Sequence, residues 1–197
     1  DLMIFTKSKR AAERQYKRAS KFIEGKLKLK INKEKTTITR LNQVKYLGYG
    51  FYRIKGKCRF RGHPKSISKL KDKIRVVTGR SNGMSIEGRK TKLNQIIRGW
   101  VQYFKLADMK SIMKSIDEWL RRRIRMITWK RWKKVKTKFE NLQKLGVAKD
   151  KAWKWANTRK SYWHTANSFI LSTTLTNARF EKQGYLSFLK YYLEVRV

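Results

Sequence analysis

Hydrophobic and polar residues follow two different periods along this chain, and the period changes at Pro64. Before Pro64, the residues Leu27, Leu29 and Ile31 alternate with lysines, which is typical of a half-buried strand. After Pro64, apolar residues recur every three or four positions, which predicts amphipathic helices. The pattern therefore predicts an α+β fold, with a small mixed N-terminal part followed by a mainly helical part.

The N-terminal part is predicted to have the order strand, helix, strand, strand. The apolar run at 2–5 predicts a buried strand, and Ser8 is a suitable N-cap for a helix that ends near Gly25. The alternating segment 27–31 and the β-branched segment 36–39 then pair as antiparallel strands across a short turn.

A β-hairpin is predicted next. The strand-like segment 44–52 contains two glycines, which indicate a bulge or the close approach of another backbone. Lys55 and Gly56 supply a turn, and segment 58–61 returns as the partner strand.

Three amphipathic helices are predicted to follow, beginning at Pro64, Ser85 and Asp108. Consecutive helices with apolar stripes form a bundle. From Phe139 the pattern is less regular: a helix is predicted over 149–157, a loop over 159–164, and short helices near 171–180 and 185–193.

The composition adds a strong positive charge to this predicted fold. The chain of 197 residues has 52 Lys and Arg against 13 Asp and Glu, a net charge of +39, yet 40% of its residues are hydrophobic. The charge therefore lies on a folded scaffold rather than on a disordered tail.

No apolar run reaches the ~18 residues of a membrane span. The single cysteine, Cys58, excludes a disulfide framework and agrees with a cytoplasmic location.

The densest charge lies in the run 121–138, which holds ten basic residues, no acidic residue, and Trp129 and Trp132. Such a surface repels itself unless a polyanion neutralises it, which predicts nucleic acid, and structured RNA in particular, as the partner. The alternative is an ordinary solvated helix face. For each tryptophan taken alone, packing in the core is the favoured interpretation.

A second cluster, at 153–164, combines Trp, Tyr and His with Arg and Lys. Aromatic rings can stack on unpaired bases while the cations hold phosphates. A small aromatic core with a basic rim explains the same residues equally well, and the sequence leaves both interpretations open.

The sequence contains no complete catalytic constellation. Asp117 and Glu118 are adjacent acids, but their helical spacing predicts pairing with Arg121 and Arg122. The two histidines have no metal-ligand partners at useful spacing. A nuclease built from these residues is not expected.

Several segments together resemble one family, the group II intron reverse transcriptase-maturases. Residues 1–5 look like the end of the catalytic Tyr-Ala-Asp-Asp box, and 27–36 are similar to the palm motif that follows it. Residues 44–51 resemble the primer-grip hairpin. The segments 93–104 and 117–125 resemble the thumb and the maturase-specific X domain.

The resemblance implies three domains: the C-terminal half of a palm at 1–62, a helical thumb at 63–128 and an X domain at 129–197. It also implies an endonuclease-lacking bacterial type, because no Cys-X-X-Cys pair or His-rich segment follows the X domain. In this family the palm binds Mg²⁺ and extends DNA on an RNA template. We expect Mg²⁺ only in the full-length enzyme, and no polymerase activity from these residues alone.

The resemblance also implies roles for individual residues. Asp1 would be the last Asp of the catalytic box and a metal ligand in the full-length context, and Lys35 would lie near the leaving pyrophosphate. The primer grip would comprise Leu47, Gly48, Tyr49 and Gly50. Together with the basic runs, the resemblance assigns RNA contacts to Arg98, Arg121, Arg122, Arg123, Arg125, Lys130, Arg131, Lys133, Lys134, Arg159, Lys160, Tyr162 and Trp163.

The predicted function is RNA binding that assists intron splicing and reverse transcription. The expected partners are group II intron RNA and an RNA template with a DNA primer, with no membrane, and a homodimer is left open. The alternative is a stand-alone basic RNA-binding or ribosome-associated protein without polymerase ancestry.

Overall fold

The computed structural model describes residues 2–196, which form ten α-helices and one small antiparallel sheet. The helices are α1 (Lys9–Gly25), α2 (Pro64–Val77), α3 (Ile86–Phe104), α4 (Lys110–Arg131), α5 (Val135–Lys144), α6 (Lys149–Ala156), α7 (Tyr162–Thr165), α8 (Phe169–Thr174), α9 (Asn177–Lys182) and α10 (Phe188–Val195). The strands are β1 (Lys45–Tyr46), β2 (Tyr49–Ile54) and β3 (Lys57–Gly62), in the order β1-β2-β3. The predicted α+β class is confirmed.

The N-terminal segment contains one helix but none of its three predicted strands. Helix α1 begins as expected, because the Ser8 side chain accepts a hydrogen bond from the Ala11 N–H at 3.2 Å. The predictions of strands at 2–5, 27–31 and 36–39 are wrong. Within the described residues these segments have no partner strand, and Leu27 and Leu29 are half exposed, so alternation alone does not create a sheet.

The predicted hairpin is confirmed. Strands β2 and β3 pair in a register that runs from Tyr49 opposite Gly62 to Ile54 opposite Lys57. At the turn, Lys55 and Gly56 have φ values of 47° and 77°, the left-handed conformation that two-residue hairpin turns require.

The three helices after the hairpin are also confirmed, with one correction at a terminus. Pro64 occupies the first turn of α2, and the Ser85 side chain caps α3 by accepting from the Gly88 N–H at 3.0 Å. Asp108 does not cap α4. Its carboxylate instead accepts from the Tyr52 hydroxyl at 2.7 Å and from Arg59 at 3.2 Å, which ties the hairpin to the bundle.

One core joins α2, α3, α4 and the C-terminal helices. Helix α10 packs against both α3 and α4, so the end of the chain closes the bundle. The largest side chains that are almost fully buried are Trp129, Tyr192, Phe180, Phe188, Leu70, Ile74, Leu93, Ile97, Met109, Met113, Ile116 and Leu120. The core position predicted for Trp129 is therefore confirmed.

The adjacent acids at the middle of α4 do not pair with arginines as predicted. The Asp117 carboxylate accepts from the Ser187 hydroxyl at 2.6 Å and from the N–H groups of Phe188 and Leu189, both at 2.8 Å. It therefore caps the N-terminus of α10, while Glu118 stays exposed. Asp117 thus binds a helix distant in sequence instead of an arginine on its own helix. The free N–H groups at a helix N-terminus attract a carboxylate.

After α4, the chain is more helical than the sequence predicts. Helix α5 was not predicted, α6 confirms the predicted helix, and part of the predicted loop at 159–164 forms the short helix α7. The predicted boundary between residues 128 and 129 lies inside α4, which is continuous. No helix among residues 2–196 is long and apolar enough to cross a bilayer.

Candidate nucleic-acid interface

The basic run that dominates the sequence forms the C-terminal half of α4, and its first two arginines face the protein. Arg121 is only 3% exposed and donates from Nη2 to the Leu186 carbonyl at 3.2 Å. Arg122 donates from Nη2 to the Trp163 carbonyl at 3.1 Å and from Nε to the same oxygen at 3.3 Å. These two residues connect α4 to the segments before α10 and within α7.

The next basic residues of α4 bind other loops. Arg125 donates from Nε to the Leu175 carbonyl at 2.8 Å. Arg123 donates to the carbonyl of Thr78 at 3.3 Å, and Lys130 donates to the carbonyl of Arg80 at 2.7 Å. The loop between α2 and α3 is thus held by cations of α4.

Burial changes the electrostatics of these guanidinium groups. Desolvation lowers the pKa of Arg121, Arg123 and Arg125 below the ordinary value. A guanidinium nevertheless stays charged at neutral pH, and Nη1 of Arg121 has no hydrogen-bond partner among the described residues. Arg121 is therefore a packing residue, and Arg122, Arg123 and Arg125 are only partly accessible to RNA.

The freely accessible cations among the predicted RNA contacts lie at the end of α4 and on other elements. Arg131 is exposed as the last residue of α4, and Lys133 and Lys134 are exposed in the turn that leads to α5. Arg159 and Lys160 are exposed between α6 and α7, and Arg98 is exposed on α3. None of these six residues forms an ion pair with the described residues, so each can meet a phosphate without first losing a partner.

The two aromatic residues predicted to stack on RNA are partly covered. The guanidinium carbon of Arg122 lies 3.9 Å from the centroid of the Trp163 ring, a close cation–π contact. Tyr162 packs against both hydrophobic clusters of the protein. The sequence left a choice between a stacking site and a small aromatic core with a basic rim, and for Tyr162 and Trp163 these contacts favour the second.

The predicted primer-grip residues lie together at the hairpin. Gly48 has φ +80°, and a Cβ there would lie 3.1 Å from the Ser66 hydroxyl and 3.2 Å from the Phe104 ring, so the position favours glycine. The Gly48 carbonyl accepts from Ser66 at 2.9 Å, and the Leu47 carbonyl accepts from the Tyr103 hydroxyl at 2.7 Å. Tyr49 in turn donates to the Tyr103 carbonyl.

These contacts place the hairpin beside a groove of about 290 Å³. Three exposed lysines line it, namely Lys45, Lys69 and Lys73. The groove wall also includes Tyr103, whose side chain is half exposed, and the partly buried Trp100. A cationic groove with aromatic rings on its wall can hold a nucleic-acid backbone and contact its sugars or bases.

Of the two residues predicted to catalyse, only Lys35 lies within the described residues. Asp1 lies outside the described residues, and Lys35 is exposed in the turn that follows Asn32. Among residues 2–196 no group of three or more His, Cys, Asp or Glu side chains could hold a metal ion.

A comparison with known families identifies the segment that carries the cationic elements. Residues 67–146 match the sequence model of the family described as "Group II intron, maturase-specific domain". The match runs from α2 to just beyond α5 and thus contains α4 and the exposed turn after it. No curated protein matches the chain. Over residues 67–146, the chain is therefore similar to this domain family.

Proposed function

We propose that this chain is the RNA-binding portion of a group II intron-encoded reverse transcriptase-maturase, which assists splicing and reverse transcription of the intron. The observation that carries the proposal is the match at 67–146, which contains the exposed Arg131, Lys133 and Lys134. With a net charge of +39, the chain needs a polyanionic partner, and the matched family's partner is intron RNA.

The proposed RNA-binding surface consists of the exposed cations on α3, at and just after the end of α4, and before α7. Arg122, Arg123 and Arg125 support this surface by fixing the loops around it and contribute charge from partly buried positions. Phosphate contacts of this kind give affinity and position without reading sequence.

The proposed contribution to reverse transcription lies at the cationic groove beside the hairpin. Lys45, Lys69 and Lys73 would hold the backbone of the template-primer duplex, and the turn at Leu47 and Gly48 would position the primer strand. Residues 1–62, 63–128 and 129–197 would act as palm, thumb and X domain. Mg²⁺ for polymerisation would be bound in the full-length enzyme, with Asp1 as one of its ligands.

The proposal is tested by binding and splicing measurements on a group II intron RNA, with an unrelated folded RNA of equal length as the control. If about 6–10 phosphates are neutralised, log affinity should fall with log salt at a slope of roughly −4 to −9. The protein should also accelerate splicing of the intron RNA. Equal affinity for both RNAs without acceleration of splicing would instead indicate a general RNA-binding protein.

A further inference from the structure

One tryptophan stands apart from the others on the helical hairpin formed by α5 and α6. All seven tryptophans lie within the described residues, and six are buried or partly buried. Trp153 is 58% exposed, whereas Trp129 is only 1% exposed. Trp153 is thus the one exposed tryptophan among residues 2–196, and an exposed indole can stack on a flat group of a ligand.

The indole of Trp153 is held in place without being covered. The Phe139 ring lies 5.7 Å from it, centroid to centroid, at an interplanar angle of 84°. In such an edge-to-face pair, one ring presents only its edge to a face of the other. Whichever ring presents its edge, Phe139 leaves at least one face of the indole free for a further flat group.

Exposed lysines lie close to these two aromatic residues along both helices. Lys149 precedes Trp153 by four residues on α6, and Lys136 precedes Phe139 by three residues on α5, so each shares a helix face with its aromatic neighbour. Both lysines are exposed and neither forms an ion pair with the described residues. The two helices carry six lysines against the two acids Glu140 and Asp150, so the hairpin surface is cationic.

The combination favours a nucleic acid over a protein as the occupant. Protein interfaces are enriched in tryptophan but depleted in lysine, whereas single-stranded nucleic acids bind aromatic platforms beside lysines that contact the flanking phosphates. A base within a duplex has both faces occupied by its neighbours, so only an unpaired base offers a free face.

We infer that Trp153 is a stacking platform for an unpaired base of bound RNA, with Lys136 and Lys149 contacting the adjoining phosphates. The inference rests on the proposed function and adds to it a second kind of recognition. Phosphate contacts elsewhere on the protein give affinity, while Trp153 selects single-stranded loops or bulges of the RNA.

The test compares binding of a short unstructured RNA and of a fully paired RNA duplex. Trp153→Ala and Trp153→Leu should weaken binding of the unstructured RNA by roughly 5- to 150-fold, because both remove the aromatic face. Trp153→Phe should retain most of the affinity. Affinity for the duplex should stay unchanged in all three variants, and so should the salt dependence of binding. Lys149→Gln should instead reduce the salt dependence.

Two outcomes would overturn the stacking role alone. Full affinity of Trp153→Leu for the unstructured RNA would show that no aromatic face is needed. Equal losses for unstructured and duplex RNA would show that Trp153 does not discriminate unpaired bases. Thermal unfolding of each variant is the control for folding. If Trp153→Ala is unstable, the comparison of Trp153→Leu with Trp153→Phe shows whether an aromatic face is needed. If the parent protein binds neither RNA in a salt-dependent way, the proposed function fails together with the inference.

Discussion

Several arginine side chains of this protein donate hydrogen bonds to backbone carbonyl groups rather than to carboxylates. Arg122 binds the Trp163 carbonyl, Arg125 binds the Leu175 carbonyl, and Arg121 binds the Leu186 carbonyl. With only 13 acids for 52 basic residues, most cations must find neutral acceptors. The same residue type thus packs against the protein at some positions and faces solvent at others, according to where the fold places it.

The buried hydroxyl of Tyr192 also forms its hydrogen bonds with backbone groups. Its hydroxyl donates to the Ala107 carbonyl at 2.6 Å and accepts from the Met109 N–H at 3.2 Å, at the junction of α3 and α4. Tyr192→Phe keeps the ring but leaves both backbone groups without this partner. We expect the free energy of unfolding to fall by about 1–3 kcal/mol in urea titrations.

Tyr191→Phe is the matched control for this prediction. The hydroxyl of Tyr191 accepts from Gln102 at an exposed position, where water can replace it. A loss of stability as large as that of Tyr192→Phe would contradict the assignment of the effect to the buried backbone groups.

At the scale of elements, helix termini determine how the N-terminal and C-terminal parts meet the bundle. Helix α2 starts at the end of the hairpin, where Nδ1 of His63 accepts from the Lys65 N–H at 3.2 Å. Only a neutral imidazole can accept at that nitrogen. The pKa of His63 is lowered, first by burial and then by the nearby Lys45, Lys65 and Arg61.

This lowered pKa predicts a pH dependence of stability. Above the ordinary histidine pKa of ~6.5, His63 is neutral in both the folded and the unfolded state and caps α2 fully. As the pH falls below that value, the unfolded state binds the proton first, so the free energy of unfolding decreases until the folded-state pKa is passed. Urea titrations between about pH 7.5 and pH 5 measure the decrease.

His63→Asn provides the comparison, because asparagine caps helices without titrating. The variant should lose less stability than the parent protein over the same pH interval. Identical pH profiles for the two proteins would contradict a role of His63 protonation.

The N-terminus of α10 depends on an acid from another helix. Asp117 satisfies the Ser187 hydroxyl and two N–H groups of α10, whereas its neighbour Glu118 is exposed. Asp117→Ala should lower the free energy of unfolding by about 2 kcal/mol, as loss of a cap does, and Glu118→Ala should change it by less than about 0.5 kcal/mol.

Hydrogen exchange should locate this effect. Amide protons of α10 are expected to exchange faster in Asp117→Ala, since this helix would lose its anchor on α4. Unchanged protection of α10, together with normal stability, would show that the cap is dispensable.

At the scale of the whole molecule, the positive charge divides into an internal and an external group. The internal group connects α4 to its surroundings, and the external group, including Arg131, Lys133 and Lys134, faces solvent. The triple variant Arg131→Gln, Lys133→Gln and Lys134→Gln should bind intron RNA more weakly. The magnitude of the salt slope should decrease by about 2–3, and the melting temperature should not change.

Arg121→Gln is the converse variant, because Arg121 is enclosed by the protein. It should lower the melting temperature while leaving the salt slope of the folded protein unchanged. Filter binding across salt and thermal unfolding measure both quantities. A reduced slope at full stability in Arg121→Gln would contradict the division into two groups.

The sequence by itself determined those features that depend on neighbours within a few residues. The caps at Ser8 and Ser85, the turn at Lys55 and Gly56, and the helical stripes of α2, α3 and α4 were all predicted correctly. Each rests on hydrogen bonds between residues close in sequence, or on a hydrophobic period that needs only one helix to be recognised.

Only the tertiary structure decided whether a predicted strand found a partner and which residues of the basic run became buried. Alternation at 27–31 predicted a strand, but a strand requires a partner that the pattern does not encode. Arg121 and Arg131 have the same chemistry within one basic run, yet one is buried against α10 and its preceding loop while the other is exposed. Segments distant in sequence determine which arginines are buried, because carbonyl groups from residues 41–65 positions away supply the acceptors.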